Sequence, residues 1–214
     1  TLSLHDALPI SRARAARSND KSMGVQNAVL TDLKVPSDYV GWSETEVSNA
    51  AIVAIIGHDN QGVDALLANA EPGDSVQLVF DKTPFYAEMG GQVADQGEVL
   101  NKQGEVVAHV TDTQSAPNGQ HVHTVEVVTS FKLGDQVALK VNLARHVAIS
   151  KNHTATHLLD QTLRNVIGGD VHQAGSLVEP EYLRFDFTHE GPVSEQNLEK
   201  IETKIGRASC RERV

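Results

Sequence analysis

The sequence predicts an α+β chain of 214 residues: a small antiparallel β-barrel, then a truncated α/β segment that carries a His-x-x-x-His helix. Three observations predict it. Short apolar runs of strand character recur between turn signals from Ala51 to Val141. After Val141 the apolar spacing lengthens to the period of a helix. Within that helix, KNHTATHLL (Lys151 to Leu159) sets His153 and His157 one turn apart, so both imidazoles point the same way.

Composition narrows the function classes. Apolar residues make up 40% of the chain, enough for a real core. No apolar run reaches the length a bilayer demands, and no basic-then-apolar leader opens the chain, so neither a membrane span nor a secretory signal is expected. The formal charge of -10 argues against a free-standing nucleic-acid binder, because affinity for phosphate comes from Lys and Arg. DNA is not an expected partner, and contacts to RNA would be local. The single cysteine, Cys210, cannot form an internal disulfide, which fits a reducing, cytoplasmic setting. Asn152-His153-Thr154 matches a glycosylation sequon and is read as a chance match.

Both ends look foreign. The head TLSLHDALPI (Thr1 to Ile10) can be written ACT CTT TCC CTA CAC GAC GCT CTT CCG ATC. Its reverse complement, in another frame, translates to IGRASCRERV, the tail Ile205 to Val214. The DNA resembles a common short-read sequencing adapter, so residues 1–10 and 204–214 are set aside as adapter-derived. Cys210 is then an artefact. The remaining insert is more acidic than the whole, because the tail from Lys204 carries four basic residues and one acid. It is expected to be a piece of something longer.

Along the insert, RARAAR (Arg12 to Arg17) reads as the end of a helix or as a solvated basic face, and SNDKSMG breaks it. AIVAIIG (Ala51 to Gly57) reads as a buried strand. Glu71 to Asp74 is a turn, and SVQLVFD alternates as a strand. EVL-NKQG-EVVAHV reads as a hairpin with a four-residue loop. APNGQ is another turn, and HVHTVEVV and DQVALKV are further strands. Leu158, Leu159, Leu163, Val166 and Ile167 form one helical stripe that Gly168-Gly169 ends. SLVEPEYLRFDF gives two strand-like runs about a Glu-Pro-Glu turn. SEQNLEKIE starts a helix capped by Ser194, which the tail truncates.

On spacing alone the histidine pair suits either half of a zinc site or satisfied core histidines. It is not the metalloprotease pattern, since Thr154 stands where that pattern needs Glu. Gly90-Gly91-Gln92 is either a tight turn or a place where bare backbone meets a ligand. Thr156 could bond back to a helix carbonyl, and Gln173 could be a surface amide. Arg184 and Asp186 are read as a structural cross-strand charge set. His121, His123, His172 and His189 lack ligand spacing, and Asp160 is placed on the exposed helix face.

TPFYAEMGGQVADQGEV (Thr83 to Val99), NHTATHLL and HQAGSLVEPEYLRFDFTH, in that order, resemble the alanyl-tRNA synthetase family, and more narrowly its β-barrel and the first half of its editing domain. Stand-alone alanyl-tRNA editing proteins share that editing domain. RARAARSNDKSMGVQNAVLTDL and YVGW favour the synthetase, because they resemble its helical tRNA-recognition domain running into the barrel. The resemblance implies the end of that domain with a linker at 11–40, the barrel at 41–141 and the first part of a zinc-dependent editing domain at 142–203.

It implies zinc on His153, His157 and a later Cys-x-x-x-His, which does not occur in this sequence and is expected beyond residue 203. It implies Gly90, Gly91 and Gln92 as the loop for the tRNA 3′ end or substrate, and Thr156 and Gln173 as catalytic pocket residues. Met89 and Ala94 depart from the Ser and Gly usual in the family. The implied partner is the tRNA for alanine, including its mischarged Ser-tRNA form. ATP and Mg2+ would serve only a catalytic domain outside this segment. The implied activity is ATP-dependent ligation of alanine to tRNA, with hydrolytic editing of Ser-tRNA or Gly-tRNA, and the isolated fragment is expected to be inactive. The alternatives are a stand-alone editing hydrolase and a non-catalytic tRNA-binding module.

Overall fold

In the computed structural model the described residues are 29–30, 33, 35–58 and 64–211, with side chains to residue 206. The reading of Arg12 to Arg17 as a helix end, and of the break after it, lies outside them. The described residues fall into two compact units, one of 29–89 and 94–146, the other of 90–93 and 147–211.

The first unit is built on strand pairing. Its strands are β1 (Asp38–Tyr39), β2 (Glu46–His58), β3 (Asp64–Leu66), β4 (Asn69–Ala70), β5 (Ser75–Phe80), β6 (Lys82–Thr83), β7 (Gly97–Leu100), β8 (Val106–Ser115), β9 (His121–Val127), β10 (Phe131–Lys132) and β11 (Gln136–Val141). The main sheet runs β11-β7-β8-β9-β5-β2-β3, and β11 also pairs with β2. Six antiparallel strands therefore close on themselves, with β3 outside the ring, which removes the open edges a flat sheet would expose.

The run AIVAIIG lacks alternation because both of its faces are covered. Ile52 and Ile55 belong to the interior cluster with Leu78, Phe80, Val99, Val125 and Leu139. Ala54 and Ile56 belong to a second cluster with Leu30, Val79, Ala116 and Val122. Ile52 and Ile55 are an odd number of residues apart yet share one cluster. A register shift between Ile52 and Ala54 changes the parity, as a bulge does. The second cluster is fastened by amides: Asn118 Nδ2 donates to the Leu30 carbonyl at 2.7 Å, and Gln120 Nε2 to those of Leu33 and Val35 at 2.9 and 2.8 Å.

The β7–β8 hairpin is present, but its loop is five residues, Asn101 to Glu105, since Leu100 pairs with Val106. The Asn101 side chain extends it by accepting the N–H groups of both Gln103 and Glu105 at 2.9 Å. The Ala116–Gln120 turn closes the next hairpin through a bond from the Ala116 N–H to the Gln120 carbonyl at 2.8 Å.

His123 lies fully buried in the barrel, between Phe80 and Phe85. Its Nδ1–H donates to the Leu78 carbonyl at 3.1 Å, so its Nε2 accepts from the Thr83 hydroxyl at 2.8 Å. His121 is half-buried and stacks on Tyr39. Both therefore pack within the first unit, His123 with both ring nitrogens matched.

The second unit holds a hairpin of β12 (Gln173–Val178) and β13 (Leu183–Phe187), turned by a bond from the Glu179 N–H to the Tyr182 carbonyl. Helix α1 (Leu143–Ile167) begins on an Asn142 cap, whose Oδ1 accepts the Arg145 N–H at 3.1 Å. It stops at Gly168, at φ +133°. Helix α2 (Glu195–Arg211) starts from Ser194, whose Oγ accepts the Asn197 N–H at 3.4 Å. It continues past Lys204 into the tail. The following residues are fair helix formers, and Ile205 packs on the unit's core of Leu159, Leu163, Val171 and Ile201. No helix of the described residues is long and apolar enough to cross a membrane.

Burial holds the His123 pKa down at about 3, against an ordinary 6.5. The sign follows by linkage: below pH 6.5 the unfolded chain gains a proton that the folded chain refuses until about pH 3, so stability falls across that window and is flat above it. Replacing His123 with Gln should flatten the stability slope between about pH 5 and 7, where carboxylates contribute little. Denaturant titrations of both proteins across that range check this, and equal slopes would contradict it.

Candidate functional site

Burying the apolar stripe of α1 turns the histidines outward. Leu159, Leu163, Val166 and Ile167 pack in the second unit's core, and Leu158 is half-buried outside that cluster. His153 and His157 are exposed on the other side of the helix. Their Nε2 atoms converge to 3.0 Å, with ring centroids 4.8 Å apart. The Nδ1 of His153 lies 2.7 Å from the Gln92 Oε1. Partial burial, and then the neighbouring His157, lower the pKa of His153. Among the described residues no group of three or more His, Cys, Asp or Glu converges on one point.

The glycine loop is both a turn and a close approach. Gly90 and Gly91 have φ of +63° and +87°, a region L side chains rarely adopt. The Val178 N–H donates to the Gly91 carbonyl at 2.7 Å, and the Val93 N–H to the Val178 carbonyl at 3.1 Å. This parallel bridge leaves no room for a Cβ on Gly91, which would sit 2.3 Å from the Ser176 carbonyl oxygen. Gly90 has open space at that position.

Gln173 is exposed at the start of β12, and its Nε2 donates to the Ser176 hydroxyl at 3.0 Å. That hydroxyl donates to the Gly90 carbonyl at 3.2 Å. The histidine pair and Gln173 are thus hydrogen-bonded, by separate arms, to the one loop of Gly90, Gly91 and Gln92. Thr156 is buried on the same helix, and its hydroxyl donates to the Asn152 carbonyl at 2.8 Å. The Asn152 amide in turn donates to the carbonyls of Glu179 and Pro180 at 2.6 and 3.2 Å, tying α1 to the hairpin turn.

Sequence reasoning missed Ser176 and Asn152. The small Gly175-Ser176 pair just after Gln173 was the available signal, since small residues allow backbone to approach. Arg184 and Asp186 are not a cross-strand set. They lie two apart on β13, on one face, and pair along the strand at 3.3 Å. Asp160 is half-buried and pairs with Arg164 one turn on. His172 and His189 are exposed.

A family model described as tRNA synthetases class II (A) matches residues 6–145. The chain is 97% identical over 197 residues to the alanine–tRNA ligase of Leuconostoc citreum (strain KM20), covering 92% of this chain and 22% of that protein. It is 73% identical over 196 residues to the alanine–tRNA ligase of Leuconostoc mesenteroides subsp. mesenteroides, with the same coverage of 92% and 22%. Against that of Ligilactobacillus salivarius (strain UCC118) the identity is 55% over 193 residues, or 90% of this chain and 21% of that protein. The chain therefore spans 22% or less of the length of these curated relatives.

The two glycines should respond differently to alanine. Gly90→Ala meets only the left-handed backbone cost, about 1–2 kcal/mol. Gly91→Ala should cost more, because the loop must also lift off β12. Denaturant unfolding gives the two costs, and hydrogen exchange at the Val178 amide reports the lifting. Equal costs with unchanged exchange would contradict the close-approach argument.

Proposed function

The chain belongs to the class II (A) family of tRNA synthetases, and from that premise we propose that it is a segment of an alanine–tRNA ligase that binds the tRNA 3′ end and hydrolyses mischarged Ser-tRNA or Gly-tRNA. One observation carries the reading: two hydrogen-bonded arms, one from the histidine pair to Gln92 and one from Gln173 through Ser176 to Gly90, end on the same glycine loop within one unit. Identity of 97% to an alanine–tRNA ligase favours a ligase segment over a stand-alone editing hydrolase. The parent protein would use ATP and Mg2+ at a catalytic site outside this segment.

Editing has a physical cause. A pocket shaped for alanine rejects serine weakly, since one added hydroxyl in an apolar pocket costs only moderate discrimination. A second site that hydrogen-bonds the hydroxyl can select serine and spare alanine. Gln173 uses one amide N–H on Ser176, which leaves its Oε1 and second N–H to meet a substrate hydroxyl. Thr156 donates to Asn152 and keeps its acceptor lone pairs. The bare backbone of Gly90 leaves space for a nucleotide to approach.

The donor chemistry fits zinc in part. Two exposed imidazole nitrogens converge, and one ring is held from behind by an amide oxygen, as the imidazole ligands of metals are. His153 and His157 would supply two ligands, and the Cys-x-x-x-His pair implied by the family resemblance would complete the set from beyond residue 203. Bound zinc would orient the aminoacyl ester or make a bound water more acidic. Ligation needs neutral imidazoles, so acid releases metal, and the lowered pKa of His153 keeps that ring available further down in pH than a free histidine.

Two substitutions in the complete ligase test the reading. Gln173→His should lower Ser-tRNA deacylation by at least roughly tenfold while aminoacylation persists; unchanged deacylation would remove its assigned role. His153→Ala should lower zinc content measured by metal analysis, and full occupancy would exclude it as a ligand.

A further inference from the structure

Gln92 sits in a loop pinned on both sides, by the Val178 N–H to Gly91 and by the Val93 N–H to Val178. Its Oε1 lies 2.7 Å from the His153 Nδ1. An amide oxygen only accepts, so the proton must be on Nδ1. The Nε2 of His153 then carries a lone pair. The Nε2 of His157 lies 3.0 Å from it, and one proton is needed between them, so His157 supplies it. The result is a one-way chain, from His157 Nε2–H to His153 Nε2 and from His153 Nδ1–H to Gln92. A free imidazole favours the opposite tautomer, with the proton on Nε2.

The geometry points to Gln92 as a positioning residue that holds His153 in its Nδ1–H tautomer and so keeps Nε2 ready to ligate metal, while His157 must move its own proton before it can ligate. This rests on the zinc reading above and deepens it. It also divides the glycine loop by task. The Gly90 backbone borders open space and Gly91 lies against β12, whereas the Gln92 side chain serves the helix.

The test uses the whole chain, labelled with nitrogen-15 and free of metal, at a pH above the imidazole range. Long-range proton–nitrogen spectra identify the tautomer of each ring. In the wild type, His153 should carry its proton on Nδ1 and His157 on Nε2. Gln92→Leu should move His153 toward the Nε2–H form, and Gln92→Glu, which still accepts, should restore Nδ1–H. His153 found as Nε2–H in the wild type, or a tautomer indifferent to Gln92→Leu, overturns the inference without needing any variant to bind metal.

Zinc is then returned to the metal-free complete ligase, which carries the remaining ligands that the family resemblance implies, and its affinity is read by competition with a chelator. The Gln92→Leu variant should bind zinc roughly tenfold more weakly than the wild type. Equal affinity in the two proteins overturns the readiness argument. A ligase whose zinc content is unchanged when His153 and His157 are both replaced by alanine overturns the zinc reading at this pair and leaves the tautomer assignment supported.

Discussion

The candidate site depends on one close approach: the Gly91 backbone lies so near the Ser176 carbonyl that a side chain carbon would collide with it. Because Gly91 has none, the loop lies along β12 and forms a parallel bridge beside Gln92. That contact fixes two directions at once. The Gln92 side chain reaches His153, and the Gly90 carbonyl receives the Ser176 hydroxyl that holds Gln173. Without the contact, the histidine pair and Gln173 would be joined only through the Asn152 bonds to the hairpin turn and the shared core.

The barrel solves a separate problem. Closing β11 onto β2 hides both edges, yet β2 must also carry a second apolar layer on its outer face. The register shift after Ile52 lets one strand serve both layers. Several of the polar groups that this arrangement buries are matched individually, although His121 Nδ1 and Arg145 Nε are not. His123 has a carbonyl for one ring nitrogen and a hydroxyl for the other, and the amides of Asn118 and Gln120 satisfy the carbonyls of residues 30, 33 and 35.

Much of this was legible in the residues. Alternation in SVQLVFD and the turns at Glu71–Asp74 and Ala116–Gln120 marked the barrel hairpins, and Gly168 and Ser194 marked the end of α1 and the start of α2, while the Asn142 cap went unread. The convergence of His153 and His157 followed from spacing alone, because helix geometry is local. Strands of two or three residues such as β1, β4, β6 and β10 carry no readable period. The extra loop residue at Glu105 comes from one Asn101 side chain, and the extension of α2 comes partly from packing of Ile205. The partnerships of Gln92 with His153 and Ser176 with Gly90 join residues too distant for any pattern to reveal. Three ordered segments resembling a known family supplied what periodicity could not, namely which of those distant residues belong together.

That distance has a consequence for how the site is made. Gln92 meets His153 across 61 residues, and Ser176 meets Gly90 across 86. During synthesis the glycine loop leaves the ribosome well before either partner exists, and it has only backbone geometry of its own to rely on. Contacts of such long sequence separation are entropically late, because the chain between them must first be ordered. The intervening residues are largely barrel, so a folded barrel shortens the effective tether between loop and helix before the helix is complete. The barrel therefore contributes to the site through folding order.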